Sequence, residues 1–295
     1  MALNDKNCLP FSSRRLRLPF NVIQGTYMIG IFDSGYGGLT ILNKIRQTLP
    51  EYNYLYLGDN ARAPYGTRSF DVIYEYTLQA VNYLHQQGCN LIILACNTAS
   101  AKALRTIQQR NINPNKLRVL GVIRPTVEMT PSRTHTKHIG VLATPGTVAS
   151  DSYVIELLKQ DPELIITQQA CPMWVPLIEA GEHLNDGANY FVEKYLNELL
   201  VRDPNIDTII LGCTHYPLLL PKIEEILLKK QPNISIISQG EIVANSLLDY
   251  LYRHPEFKQE LGGNCTYLTT ESADKFTESA SLFLSENIRA QHIEL

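Results

Sequence analysis

Short runs of consecutive apolar residues alternate along the chain with longer stretches whose apolar positions recur every three or four residues. The short runs are 28–32 (MIGIF), 54–57, 91–95, 118–123, 138–143, 163–167, 207–212 and 234–238. Runs this short, apolar at successive positions, predict strands covered on both faces. Between Arg68 and Gly88, the residues Val72, Ile73, Tyr76, Ala80, Val81 and Leu84 recur at helical spacing, and Gly88 is a C-terminal stop. Residues 98–110, 148–160, 190–200, 222–230 and 243–253 read as further helices. Strand–helix alternation of this kind predicts an α/β fold built on doubly wound parallel sheets.

The pattern also repeats. IGIFDSGYGGL at 29–39 returns as IGVLATPGTVA 110 positions later, at 139–149. IILACNTAS at 92–100 returns as IILGCTHYP at 209–217, which sets Cys96 and Cys213 117 positions apart. Two separated motifs with similar offsets imply tandem duplication and two pseudo-symmetric units. The expected division is a first domain of residues 28–122 closed by 237–295, and a second of residues 123–236. Residues 1–27 carry no regular pattern and are expected to be an extension outside the fold. In doubly wound sheets the ligand crevice lies outside the carboxyl ends of the strands, and both cysteines fall there.

Composition narrows the partners. The chain is 44% hydrophobic and 19% charged, with net charge −3 and pI near 6.2, so no cationic field points to nucleic acid or an anionic membrane. No apolar run approaches the roughly 18 residues needed to cross a bilayer. Arg14, Arg15 and Arg17 stand beside apolar stretches broken by Pro10 and Pro19, which is not a secretory signal. A cytoplasmic protein is expected. Of six cysteines, none forms a CxxC pair, and Cys89, Cys171 and Cys265 read as small buried hydrophobes.

Cys96 and Cys213 need another account. Each ends a strand before a turn into a helix, where free N–H groups and the helix dipole should favour thiolate below the usual pKa of about 8.5. If the duplication is a pseudo-twofold, two thiols approach one ligand from opposite sides. That geometry suits inversion of a carbon, one sulfur removing a proton while the other delivers one. Three other readings stay open: two strand-end core cysteines, a metal site using Cys213 and His215, and a single nucleophilic cysteine with His215 as base.

DSGYGGL, RAPYG, ACNTAS, GVLATPGT, PLIEAGE and LGCTHYPLL, in this order, resemble the glutamate racemase family of cofactor-independent amino-acid racemases. The resemblance runs from Met28 to the TYLTTESADKF segment. It implies that Cys96 takes the α-proton of D-glutamate and Cys213 that of L-glutamate. Asp33 would assist Cys96, and Glu179 with His215 would assist Cys213. The substrate would touch Asp33, Ser34, Pro64, Tyr65, Gly66, Asn97, Thr98, Thr144, Thr147, Thr214 and His215. Its two carboxylates would be held by backbone N–H groups, with Gly35, Gly37 and Gly38 allowing close approach. No cofactor and no metal is implied.

The implied role is supply of D-glutamate to peptidoglycan, for cell-wall synthesis and cell shape. Racemisation or isomerisation of another small acid such as aspartate, or non-catalytic amino-acid binding, are the alternatives. A homodimer is compatible with the family, though no face in the sequence marks it. Some relatives with N-terminal extensions respond to a peptidoglycan-precursor activator, but residues 1–27 carry no motif for one. Two departures stand out: Ser238-Gln239, where the family favours Asp before the small residue, and Arg124.

Overall fold

In a computed structural model, described for residues 28–257, 261–284 and 286–295, the alternation becomes two parallel sheets. The expected extension at residues 1–27, Cys8 included, lies outside the described residues. The first sheet holds β1 (Met28–Asp33), β2 (Tyr54–Gly58), β3 (Cys89–Leu94) and β4 (Arg118–Gly121). The second holds β5 (His138–Ala143), β6 (Ile165–Ala170), β7 (Thr208–Gly212) and β8 (Ser235–Ile237). The chain then returns, and β9 (Cys265–Thr269) and β10 (Ala290–His292) extend the first sheet beyond β2. The orders are β10-β9-β2-β1-β3-β4 and β6-β5-β7-β8, parallel throughout. The order second–first–third–fourth thus occurs twice, with β1 matching β5 and β3 matching β7. The sequence repeat is a repeat of topology.

Twelve helices are seen among the described residues: α1 (Gly38–Thr48), α2 (Phe70–Gln86), α3 (Asn97–Lys102), α4 (Leu104–Arg110), α5 (Ile123–Met129), α6 (Pro145–Ala149), α7 (Ser152–Gln160), α8 (Trp174–Glu179), α9 (Asp186–Arg202), α10 (Leu220–Lys230), α11 (Gln239–Arg253) and α12 (Ala273–Ala280). They cover both sheet faces, as all-apolar strands demand. On β1, Ile29 and Ile31 join Leu39, Leu42 and Ile45 of α1 in one core layer. Phe32 points the other way and packs with Ile73, Val81 and Leu84 of α2. Alternate strand residues therefore feed opposite layers, which is the two-residue period of the strand at work. Helix α11 lies along α1 and also reaches α5, so the returning chain contacts both halves. Among the described residues, no helix is long and apolar enough to cross a membrane.

Three predicted elements are shorter or broken. The run at 118–123 leaves the sheet after Gly121, and Ile123 already begins α5. The helix expected over 98–110 is divided at Ala103 into α3 and α4. The one expected over 148–160 breaks at Asp151, which takes the left-handed conformation (φ 52°). There Ser150 Oγ accepts from the Ser152 N–H at 3.2 Å, a local side-chain bond that competes with the helical ladder.

Candidate active site

The carboxyl ends of β1, β3, β5 and β7 gather the chemistry. Asp33 ends β1, Cys96 lies two residues beyond β3, Thr144 follows β5, and Cys213 follows β7. The first turn of α1 faces the turn after β7: Thr40 Oγ1 donates to the Thr214 carbonyl at 3.0 Å. A Cβ on Gly37 would fall 2.3 Å from His215 Nδ1 and 2.4 Å from Thr214 Oγ1. The glycine expected to admit a ligand thus admits the opposite half of the protein. Gly38 plays the same part toward Asp33, whose Cβ would be 2.5 Å away. Gly37→Ala should push His215 off its partners and lower kcat by about 10²-fold, since displacements near 1 Å cost that much. Steady-state kinetics, with circular dichroism to show a retained fold, checks it.

Around Cys213 three side chains form a chain. Cys213 Sγ lies 3.9 Å from His215 Nδ1, and His215 Nε2 lies 2.9 Å from Glu179 Oε1. Glu179 is the last residue of α8, and His215 is almost fully buried. Burial alone would lower the His215 pKa, but its bonds to Cys213 and Glu179 outweigh that and raise it from 6.5 to about 10. Contact with Cys213 and Glu179 thus favours the protonated imidazole beside the sulfur. Cys213 is followed not by an α-helix but by a short 3₁₀ turn over Tyr216–Leu219, so the expected helix N-terminus is absent at this sulfur.

Cys96 differs. It caps α3, its sulfur accepting from the Ala99 N–H at 3.4 Å, and its thiol donates to Ser34 Oγ at 3.4 Å. Helix capping alone predicts a lowered pKa. Instead, burial pushes the Cys96 thiol up to about 12, the negative charge of Asp33 adds to this, and the Ser34 and Ala99 contacts only partly offset it. A charge on Cys213 would raise it further. Asp33 is itself fully buried. Burial raises its pKa against the opposing pull of His215 and of the Gly35 and Gly38 N–H groups. Its Oδ2 accepts from the Gly35 N–H at 3.0 Å, while Oδ1 has no hydrogen-bond partner among the described residues. A buried, unpaired carboxylate oxygen is suited to hold a proton in passing.

The remaining expected residues line the same region. Thr98 Oγ1 lies 3.0 Å from Thr144 Oγ1 and 3.3 Å from Thr147 Oγ1, a cluster joining the two halves. Gly66 abuts Thr144, where an added Cβ would come to 2.9 Å. Pro64 follows a cis peptide, and Tyr65 beside it is buried, its hydroxyl donating to Asp59. Sequence reasoning passed over Asp59. This fully buried carboxylate also takes both Arg62 Nε contacts (2.9 and 2.7 Å) and the Thr270 hydroxyl (2.8 Å), and so fixes the 62–66 loop. The signal was available: Asp59 follows β2 as Asp33 ends β1. Of the cysteines read as core, Cys89 and Cys171 are buried, but Cys265 is partly exposed.

The profile of the Asp/Glu/Hydantoin racemase family matches residues 30–247. The chain belongs to this family. Among its members, a glutamate racemase of Ruegeria sp. is 42% identical over 270 residues, covering 88% of this chain and 97% of its own. In structure, a glutamate racemase isoform from Bacillus anthracis superposes with TM-score 0.83 at 33% identity, covering 91% of this chain and 98% of its own. The glutamate racemase of Francisella tularensis, solved with D-glutamate, superposes at 0.80 with 31% identity, covering 92% and 97%. These superpositions cover both sheets of the chain almost end to end.

Proposed function

We propose that the chain interconverts L- and D-glutamate, using Cys96 and Cys213 as an acid–base pair on opposite faces of the α-carbon. The observation that carries this reading is the unequal proton equipment of two cysteines placed equivalently by duplication. Cys96 has Asp33; Cys213 has His215 backed by Glu179. From D-glutamate, the Cys96 thiolate takes the α-proton and the Cys213 thiol delivers one to the other face. From L-glutamate the roles exchange. Asp33 holds the Cys96 proton before attack, while the His215 imidazolium steadies the Cys213 sulfur as thiolate. Neither cysteine is bonded to another.

An α-hydrogen beside a carboxylate is weakly acidic, so the negative charge that develops on that carboxylate must be met by fixed donors. Backbone N–H groups of the loops after β1, β3 and β7, with Ser34, Asn97 and the Thr98–Thr144–Thr147 cluster, supply them without a cofactor. Residues 28–122 with the chain after β8 form one wall of the crevice and 123–237 the other. The D-glutamate formed in the cytoplasm would feed peptidoglycan synthesis.

Purified protein without added cofactor should bring the optical rotation of either glutamate enantiomer to zero. In deuterated water the product should carry deuterium at the α-carbon. Inversion without deuterium uptake would rule out proton transfer through solvent-exchanging thiols, and faster turnover of aspartate would overturn the choice of substrate.

A further inference from the structure

Behind Cys96 lies a closed circuit of hydrogen bonds, of which the reaction as described uses only the Asn97 end. Asn97 Nδ2 donates to Gln239 Oε1 at 2.6 Å. Gln239 Nε2 donates to the Tyr153 hydroxyl at 2.9 Å. The Tyr153 hydroxyl donates to Asn97 Oδ1 at 2.7 Å and closes the ring. The second Nε2 hydrogen of Gln239 is met by Thr126 Oγ1 at 3.0 Å, whose own hydroxyl donates to the Val122 carbonyl at 2.7 Å. All four side chains are almost completely buried.

Each ring member donates once and accepts once, so the direction of every bond follows from any one of them. Neither amide can turn over without breaking two bonds, and buried groups left unpaired are costly. The three members come from three separate parts of the chain. Asn97 opens α3, Tyr153 lies on α7 of the second half, and Gln239 opens α11 of the returning segment. Gln239 is also half of the Ser238-Gln239 departure, and the ring is what that side chain does.

Helix α3 is six residues long, too short to hold itself in place. Its first turn nevertheless aims the Ala99 N–H at the Cys96 sulfur. We infer that Gln239 and Tyr153 are positioning residues: through Asn97 they clamp the first turn of α3 and so set the Cys96 sulfur against the crevice. The inference rests on the two-cysteine reading for its effect on turnover, but the clamp itself does not.

Tyr153→Phe and Gln239→Met each open the ring while keeping its volume. Each should lower kcat/KM for glutamate by about 10-fold, as loss of positioning does. The double variant should lose less than the two singles combined, because either single already leaves Asn97 on one bond and able to turn. Alkylation by iodoacetamide, followed cysteine by cysteine by peptide mass mapping, should quicken at Cys96 by about fivefold and at Cys213 by less than about twofold. Equal quickening at both cysteines would mean general loosening and overturn the clamp. Unchanged alkylation and turnover in both single variants, or additive losses in the double, would overturn it too. If the wild-type protein fails to racemise glutamate, the substrate reading falls, while the alkylation pattern still decides the clamp.

Discussion

Cys96→Ala and Cys213→Ala are each expected to lower racemisation by about 10³-fold or more, while each spares α-proton exchange for one enantiomer. General acid–base groups contribute about 10²–10⁴-fold, and inversion needs both at once. Exchange without inversion needs only the sulfur that faces the departing proton. With Cys96 gone, Cys213 still meets the α-proton of L-glutamate and returns solvent deuterium to the same face. With Cys213 gone, Cys96 does so for D-glutamate. Proton NMR of the α-position in deuterated water, each enantiomer run separately, reads this directly. Wash-in of both enantiomers by either variant would end the two-sided scheme. Cys89→Ala is the matched control, since Cys89 is fully buried under β1 with no part in the crevice. It should retain turnover and lose about 1 kcal/mol of stability through the small cavity left behind.

The frame of this site was legible because it rests on periodicity. Apolar runs such as 91–95 and 207–212 can be satisfied only inside a sheet covered on both faces, and the 117-position repeat brought the two strand ends into correspondence. What escaped was set by tertiary contact. Helix α1 opens on Gly37 and Gly38, which read locally as a turn; only the packed structure shows His215 and Asp33 occupying the space their missing Cβ atoms leave. Strand β10, AQH, has no apolar signature and belongs to the sheet only because β9 offers it an edge. The thiol of Cys96 shows the same limit in its chemistry. A helix cap lowers a pKa by a local rule, whereas burial beside Asp33 raises it by a non-local one, and here the second wins. Gln239 was visible as an anomaly, but its partners at positions 97 and 153 are distant in sequence.

His215→Gln is expected to lower kcat by about 10²-fold, with a smaller loss, about 10-fold, for Glu179→Gln. The difference follows from position. His215 is buried and neighbours the sulfur itself, whereas the Glu179 side chain is 30% exposed and acts through the imidazole. The same pair makes a prediction about stability. Folding raises the His215 pKa from 6.5 to about 10, so between those values the folded protein binds a proton that the unfolded chain has released. The contribution is therefore complete below pH 6.5, erodes as pH climbs, and is gone above about 10. Thermal melts across this interval should show the wild-type advantage over His215→Gln shrinking steadily with rising pH. A gap that stayed constant from pH 6 to 10 would mean the imidazole is neutral in the folded protein. Cys213 would then have to give up its proton without a cation beside it, and the relay from Glu179 through His215 could not be what prepares that sulfur.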